Sequence, residues 1–131
     1  MCQSCEVHID GVWQHLRVGA AFCTPDSVWG KRFTVADVNA GSIRIDPQGI
    51  SISRAAFAAV LHYLRTNHHD SAARRCQIKS SNNPQTAGPL CKAARAANAD
   101  VRCINYILPI LQSLGIVEID SSRPNSTWTT P

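Results

Sequence analysis

Cys2, Cys5 and His8 open the chain at the spacing C-x-x-C-x-x-H. Thiolate and imidazole are ligands that Zn²⁺ favours, but a structural site needs a closed tetrahedral set. No second pair at C-x-x-C or H-x-x-x-H spacing follows, and only the fold could bring in His15 or Cys23. A mobile tail is the plainer reading, so no metal is expected here. His68-His69-Asp70 carries acid–base groups, yet adjacent residues do not share a face. The three read as the polar end of a helix. Cys76, Cys91 and Cys103 read as small apolar core residues. Of these, Cys91 is best placed for a redox-sensing thiol, near the start of a helix. The chain contains no phosphate loop of the G-x-x-x-x-G-K-[ST] type and no G-x-S-x-G. Pro25-Asp26 is not followed by an acid-x-Lys strand. The nine acids fall mostly at turns and caps. These residues predict no enzymatic activity and no cofactor.

Charge points elsewhere. Residues 1–50 hold four Lys and Arg against five acids, whereas residues 51–131 hold nine against four. The excess positive charge of the chain, +4 overall, therefore lies in its second part. Such a field attracts phosphate backbones; it also serves simply to keep helices soluble. The apolar share, 44%, suits a globular protein of one compact domain or two small units. No apolar run is long enough to cross a membrane. The polar start lacks the basic and apolar regions of a signal peptide, which predicts a cytoplasmic protein with free thiols.

The elements that must position these residues fall into two groups. Residues 1–52 read as β-rich. Glu6–Ile9 and Val12–Val18 flank Asp10-Gly11, which is a hairpin signal. A loop marked by Thr24-Pro25-Asp26 and Gly30 leads to strands at Lys31–Val38, Ser42–Ile45 and Ile50–Ile52. From residue 53 to 131 the period becomes helical. Ser53 is a suitable N-cap, and Phe57, Val60, Leu61 and Leu64 mark one helix face. Asn67 stops it. Arg75–Lys79 reads as a short strand, and Ser80–Gly88 as a polar loop. Pro89 starts a second helix reaching Asn98. Asp100 caps a third helix that carries Val101, Ile104, Ile107, Leu108, Leu111 and Leu114. Gly115 ends it in the left-handed region. Ile116–Ile119 and Ser126–Thr129 form a closing hairpin.

The segment Lys92–Glu118 resembles the helix-turn-helix of winged-helix transcription regulators. Ala94 stands at the small-residue position for close helix packing, Asn98 at the turn, and Asp100 at the recognition-helix cap. Gly115-Ile116-Val117-Glu118 is similar to that family's closing Gly-Leu-Val-Glu. The fold expected is therefore α+β: a small N-terminal antiparallel β-sheet, then a winged-helix-like three-helix unit with a C-terminal β-hairpin. The resemblance implies a non-enzymatic regulator that binds double-stranded DNA. Arg102, Asn105 and Tyr106 would point away from the core and read the major groove. Lys92 and Arg95 would lie near phosphates, and Arg123 would contact DNA from the hairpin tip. Pro109 departs from the pattern and should kink or split the third helix.

Two other readings remain. The same fold serves as a protein–protein or homo-oligomerisation module, and the edge strands of the sheet make a homodimer the expected assembly. Trp13, Phe22, Trp29 and Phe33 either fill the N-terminal core or line a small-molecule pocket at the sheet–helix junction. Titration with duplex DNA at two salt concentrations tests the regulator reading. Salt-sensitive binding is expected, and binding no tighter than millimolar at low salt would sink it.

Overall fold

The computed structural model describes residues 3–130. Its first element corrects the expected hairpin. Residues 3–15 form helix α1 (Gln3–His15). Cys5, Ile9, Val12 and Leu16 recur at helical spacing and all are buried. The alternation that suggested strands ends outside, because Val7 and Val18 are exposed. Gly11 makes no turn, and nothing lies within 4 Å of where its Cβ would stand. Trp13 fastens the helix. Its ring meets Phe57 edge-on at 5.1 Å, and its indole N–H donates to Asn39 O at 2.7 Å.

A four-stranded antiparallel meander follows: β1 (Ala21–Cys23), β2 (Arg32–Val38), β3 (Ser42–Asp46) and β4 (Ile50–Ser53). β1 lies in the stretch expected to be loop. Its register sets Phe22 opposite Phe33, while Val35 faces Ile45 and Ile43 faces Ile52. Phe33, Val35, Ile43, Ile45 and Ile52 are buried on one side of this sheet. Removing such a side chain from water stabilises by about 1.5–3 kcal/mol. Asn39 makes the β2–β3 turn by accepting from the N–H groups of Gly41 and Ser42, each at 2.9 Å.

Helix α2 (Arg54–Thr66) starts and stops where expected. Ser53 Oγ accepts from Ala56 N at 3.1 Å, and Asn67 closes the other end. A 3-10 turn over Ala72–Arg74 leads to β5 (Cys76–Gln77), then α3 (Pro89–Ala96), α4 (Ile104–Ser113), β6 (Val117–Asp120) and β7 (Ser126–Thr129). The second sheet has the order β5-β7-β6. Gly88 must be glycine, since a Cβ there would lie 2.8 Å from Lys79 Cβ. Gly115, at φ +72, ends α4 as expected. The fold is α+β, with an antiparallel sheet followed by helices and a C-terminal hairpin. One buried cluster runs through both parts, from Cys5 to Val117. No helix among the described residues is long and apolar enough to cross a membrane.

The turn between α3 and α4 differs from expectation. α3 stops at Ala96, and α4 begins only at Ile104, after Cys103. Asp100 caps nothing. Ala99 and Asp100 themselves take the left-handed region, at φ 51 and 63. Asn98 instead turns its side chain inward. Its Oδ1 accepts from Ser53 N at 2.8 Å, and its Nδ2 donates to Ser51 O at 3.1 Å. Ser53 Oγ also donates to Ala97 O. The turn is thus bolted to the junction of β4 and α2. Pro109 sits inside α4, which continues through it, so Asn105 O receives no N–H from that position. Asn98→Ala should lower stability by about 1–3 kcal/mol, since Ser53 N and Ser51 O lose their partner. The midpoint of urea unfolding reads this; a change under about 0.5 kcal/mol would put Asn98 among ordinary surface sites.

Candidate functional site

The cavity between the two sheets has a volume of about 620 Å³. Five segments build it. Thr24–Asp26, Trp29 and Lys31 come from the loop between β1 and β2, and Pro47 and Gln48 from the β3–β4 turn. Ile78, Lys79 and Ser80 follow β5. Arg102, Asn105 and Tyr106 come from the start of α4, and Asn125 from the closing hairpin.

The wall has a chemical peculiarity. Among the described residues, four buried side-chain atoms lack a hydrogen-bond partner: Gln48 Oε1, Ser80 Oγ, Arg102 Nε and Asn105 Oδ1. All four belong to residues of this cavity. Such an atom costs about 1–3 kcal/mol when it stays unpaired. Elsewhere the described chain satisfies its buried side-chain groups, so the deficit is local. The Gln48 amide is oriented by its own Nε2, which donates to Arg32 O at 3.4 Å. Arg102 and Asn105 bracket the start of α4, which has no side-chain cap; a helix N-terminus carries partial positive charge.

Lys31, Lys79 and Arg102 make the wall cationic. Its carboxylate, Asp26, is already committed. Asp26 Oδ1 accepts from Val28 N and Trp29 N, both at 2.8 Å, and from Arg123 Nη2 at 3.1 Å. The two backbone N–H groups, followed by Arg123, hold its pKa below the usual carboxylate value. The same clasp closes the cavity's edge. Asn125 donates to Pro25 O, Ser27 N donates to Ser121 O at 3.0 Å, and the Arg123 guanidinium lies 5.9 Å from the centre of the Trp29 ring.

No family model, curated protein or solved structure matches this chain.

The six residues expected at DNA separate into distinct environments. Arg102, Asn105 and Tyr106 come together, as their spacing suggested, but on the cavity wall. Tyr106 does not point away from the core. It is 6% exposed and meets Phe33 edge-on at 5.2 Å. Arg95 is 7% exposed, and its guanidinium donates to Ser81 O and Asn82 O, each at 3.0 Å, and to Asp100. It is an internal strut. Lys92 is exposed on α3, and Arg123 is held at the hairpin tip by Asp26. Helix α4 buries most of its length, Tyr106 to Leu111 included. Sequence reasoning missed Gln48, Ser80, Lys31 and Lys79, which lie in turns and loops without periodicity. Trp29, singled out as a pocket candidate, does line the cavity.

The other constellations resolve into structural roles. Cys2 lies outside the described residues. Cys5 is disulfide-bonded rather than a free thiol, and His8 Nδ1 contacts Arg65 Nη2 at 2.5 Å. No three His, Cys, Asp or Glu among the described residues gather as a metal would require. His69 bonds Arg74 O at 2.8 Å through Nδ1 and stacks on Tyr63, while Asp70 pairs with Arg74 at 3.7 Å. Burial pushes the Cys103 thiol up to about 12 and Cys76 to about 11. Cys91 is fully buried, which removes the access a redox sensor needs. Cys23 is free and exposed. Iodoacetamide labelling mapped by mass spectrometry should therefore modify Cys23 in the folded protein. Cys76, Cys91 and Cys103 should react only in denaturant, and their prompt labelling without it would contradict this packing.

Proposed function

We propose that this chain is a small non-catalytic binding protein whose cavity between the two sheets takes a small polar molecule bearing negative charge. The observation that carries this is that all four residues with an unpartnered buried side-chain atom line one cavity, which Lys31, Lys79 and Arg102 also line. A pocket of this size with a few converging polar groups is the usual form of a small-molecule site. The committed Asp26 leaves the cations without a local counter-charge, which favours an anionic guest. The uncapped start of α4 adds to the same polarity.

A second reading is duplex DNA binding. The order helix, strand, helix, helix, hairpin and the exposed Lys92 favour it. It has to use a surface other than the buried length of α4. Neither reading requires catalysis.

Thermal unfolding with millimolar ribose 5-phosphate tests the cavity reading. A guest held only by the folded state raises the melting temperature in proportion to its occupancy. The rise should vanish in Arg102→Ala and persist in Lys92→Ala. An equal rise in both variants, or none in the parent protein, would overturn the assignment.

A further inference from the structure

The donor and acceptor pattern of the wall narrows the guest further. Gln48 Oε1 and Asn105 Oδ1 are acceptors, Arg102 Nε is a donor, and Ser80 Oγ is both. These atoms are buried within the wall, so a guest that pairs them as the side chains turn toward it must bring N–H or O–H groups to the two amides and an acceptor to Arg102. Sulfate carries no donor for the amides, and the hydrogen phosphate dianion carries a single O–H for the two of them. An amino acid brings donors on a full positive charge, which Lys31, Lys79 and Arg102 oppose. Sugar phosphates satisfy the polar pattern but leave the rim unexplained. Trp29 lies on that rim and is 69% exposed, the most exposed large apolar side chain of the described chain. Asp26 holds the backbone at this position by accepting from Trp29 N, and the Arg123 guanidinium lies against the ring. An indole held in place at the mouth of a cationic, amide-lined cavity is a stacking platform.

Resting on the proposed function, we infer that the guest is a nucleotide unit. Its phosphate lies toward Lys31, Lys79 and Arg102, its base stacks on Trp29, and its base or sugar donors reach Gln48 and Asn105. The unit comes either free, as a nucleoside monophosphate, or as the 5′-phosphorylated end of a single strand. Both present the same chemistry to the cavity. The amides suit base edges because they pair with ring and exocyclic N–H groups.

Titration calorimetry on the full chain tests this with five probes: the four nucleoside 5′-monophosphates and ribose 5-phosphate. A parallel arm uses a 5′-phosphorylated single-stranded trinucleotide. At least one monophosphate, or the trinucleotide, should bind about tenfold or more tightly than ribose 5-phosphate, because a stacked base adds that much. Trp29→Ala should erase this difference, weakening the monophosphate or trinucleotide far more than ribose 5-phosphate. The stronger of the two arms identifies the source. Equal affinity for all probes, or a difference that survives Trp29→Ala, overturns the nucleotide inference and leaves the anion-binding reading standing. Absence of binding by every probe, including ribose 5-phosphate, overturns both.

Discussion

One buried guanidinium holds the cavity wall of this molecule together. Arg95 lies inside the protein, and its donors are spent on Ser81 O, Asn82 O and Asp100. The first two carbonyls belong to the loop that carries Ser80. The third partner belongs to the turn that leads to Arg102 and Asn105. A single side chain therefore sets the separation of two cavity segments. Its partner Asp100 stays mostly exposed while the guanidinium does not, so the ion pair alone would not offset the desolvation of the cation. The carbonyl oxygens supply the remainder. Asn98 then fastens the same turn to Ser51 and Ser53, which ties the wall to the first sheet and to α2.

Three repeated clasps fasten the fold further, and two of them join its two parts. Each tryptophan lies under an arginine that is itself paired with an aspartate: Trp13 with Arg54 and Asp10, Trp29 with Arg123 and Asp26, Trp128 with Arg75 and Asp120. Exposed ion pairs and exposed cation–π contacts are each worth about 1 kcal/mol or less. Their value here is positional. Arg54–Asp10 joins α1 to α2, Arg123–Asp26 joins the closing hairpin to the first sheet's loop, and Arg75–Asp120 keeps β5 against that hairpin. Serine hydroxyl and arginine donors hold the Asp120 pKa down to about 2, so the Arg75–Asp120 link stays charged at any ordinary pH.

Local signals in the sequence were good guides to local structure. Ser53 as cap, Pro89 at a helix start, Gly115 as helix end and the alternation of Lys31–Val38 depend on neighbours a few residues away. The first segment failed for a definable reason. Val7, Ile9, Val12 and Leu16 fit a two-residue and a helical period almost equally over so short a window, and Asp10-Gly11 tipped the reading toward a turn. What decided it, the pairing of Asp10 with Arg54 and of Trp13 with Phe57, is distant in the chain. Depth was the second thing the sequence hid. Arg95 and Tyr106 carry groups that belong on surfaces, and only the packing of α3 and α4 shows them inside. Arg102 and Asn105 were recognisable as a pair. The partners that give the pair meaning, Gln48 and Ser80, sit in turns whose residue types announce nothing but a turn.

The cavity draws on residues from Thr24 to Asn125, interleaved across nearly the whole chain. No fragment holding only one of the two sheets contains it. Cutting the chain between the two sheets leaves each piece with only part of a wall, and neither piece keeps the Asp26–Arg123 clasp. Closing loops of that length comes late in assembly, after local turns and helices have formed. Occupancy of the cavity is therefore a property of the finished tertiary structure. A bound guest would act as an internal staple, drawing its affinity from the same long-range contacts that it makes harder to break.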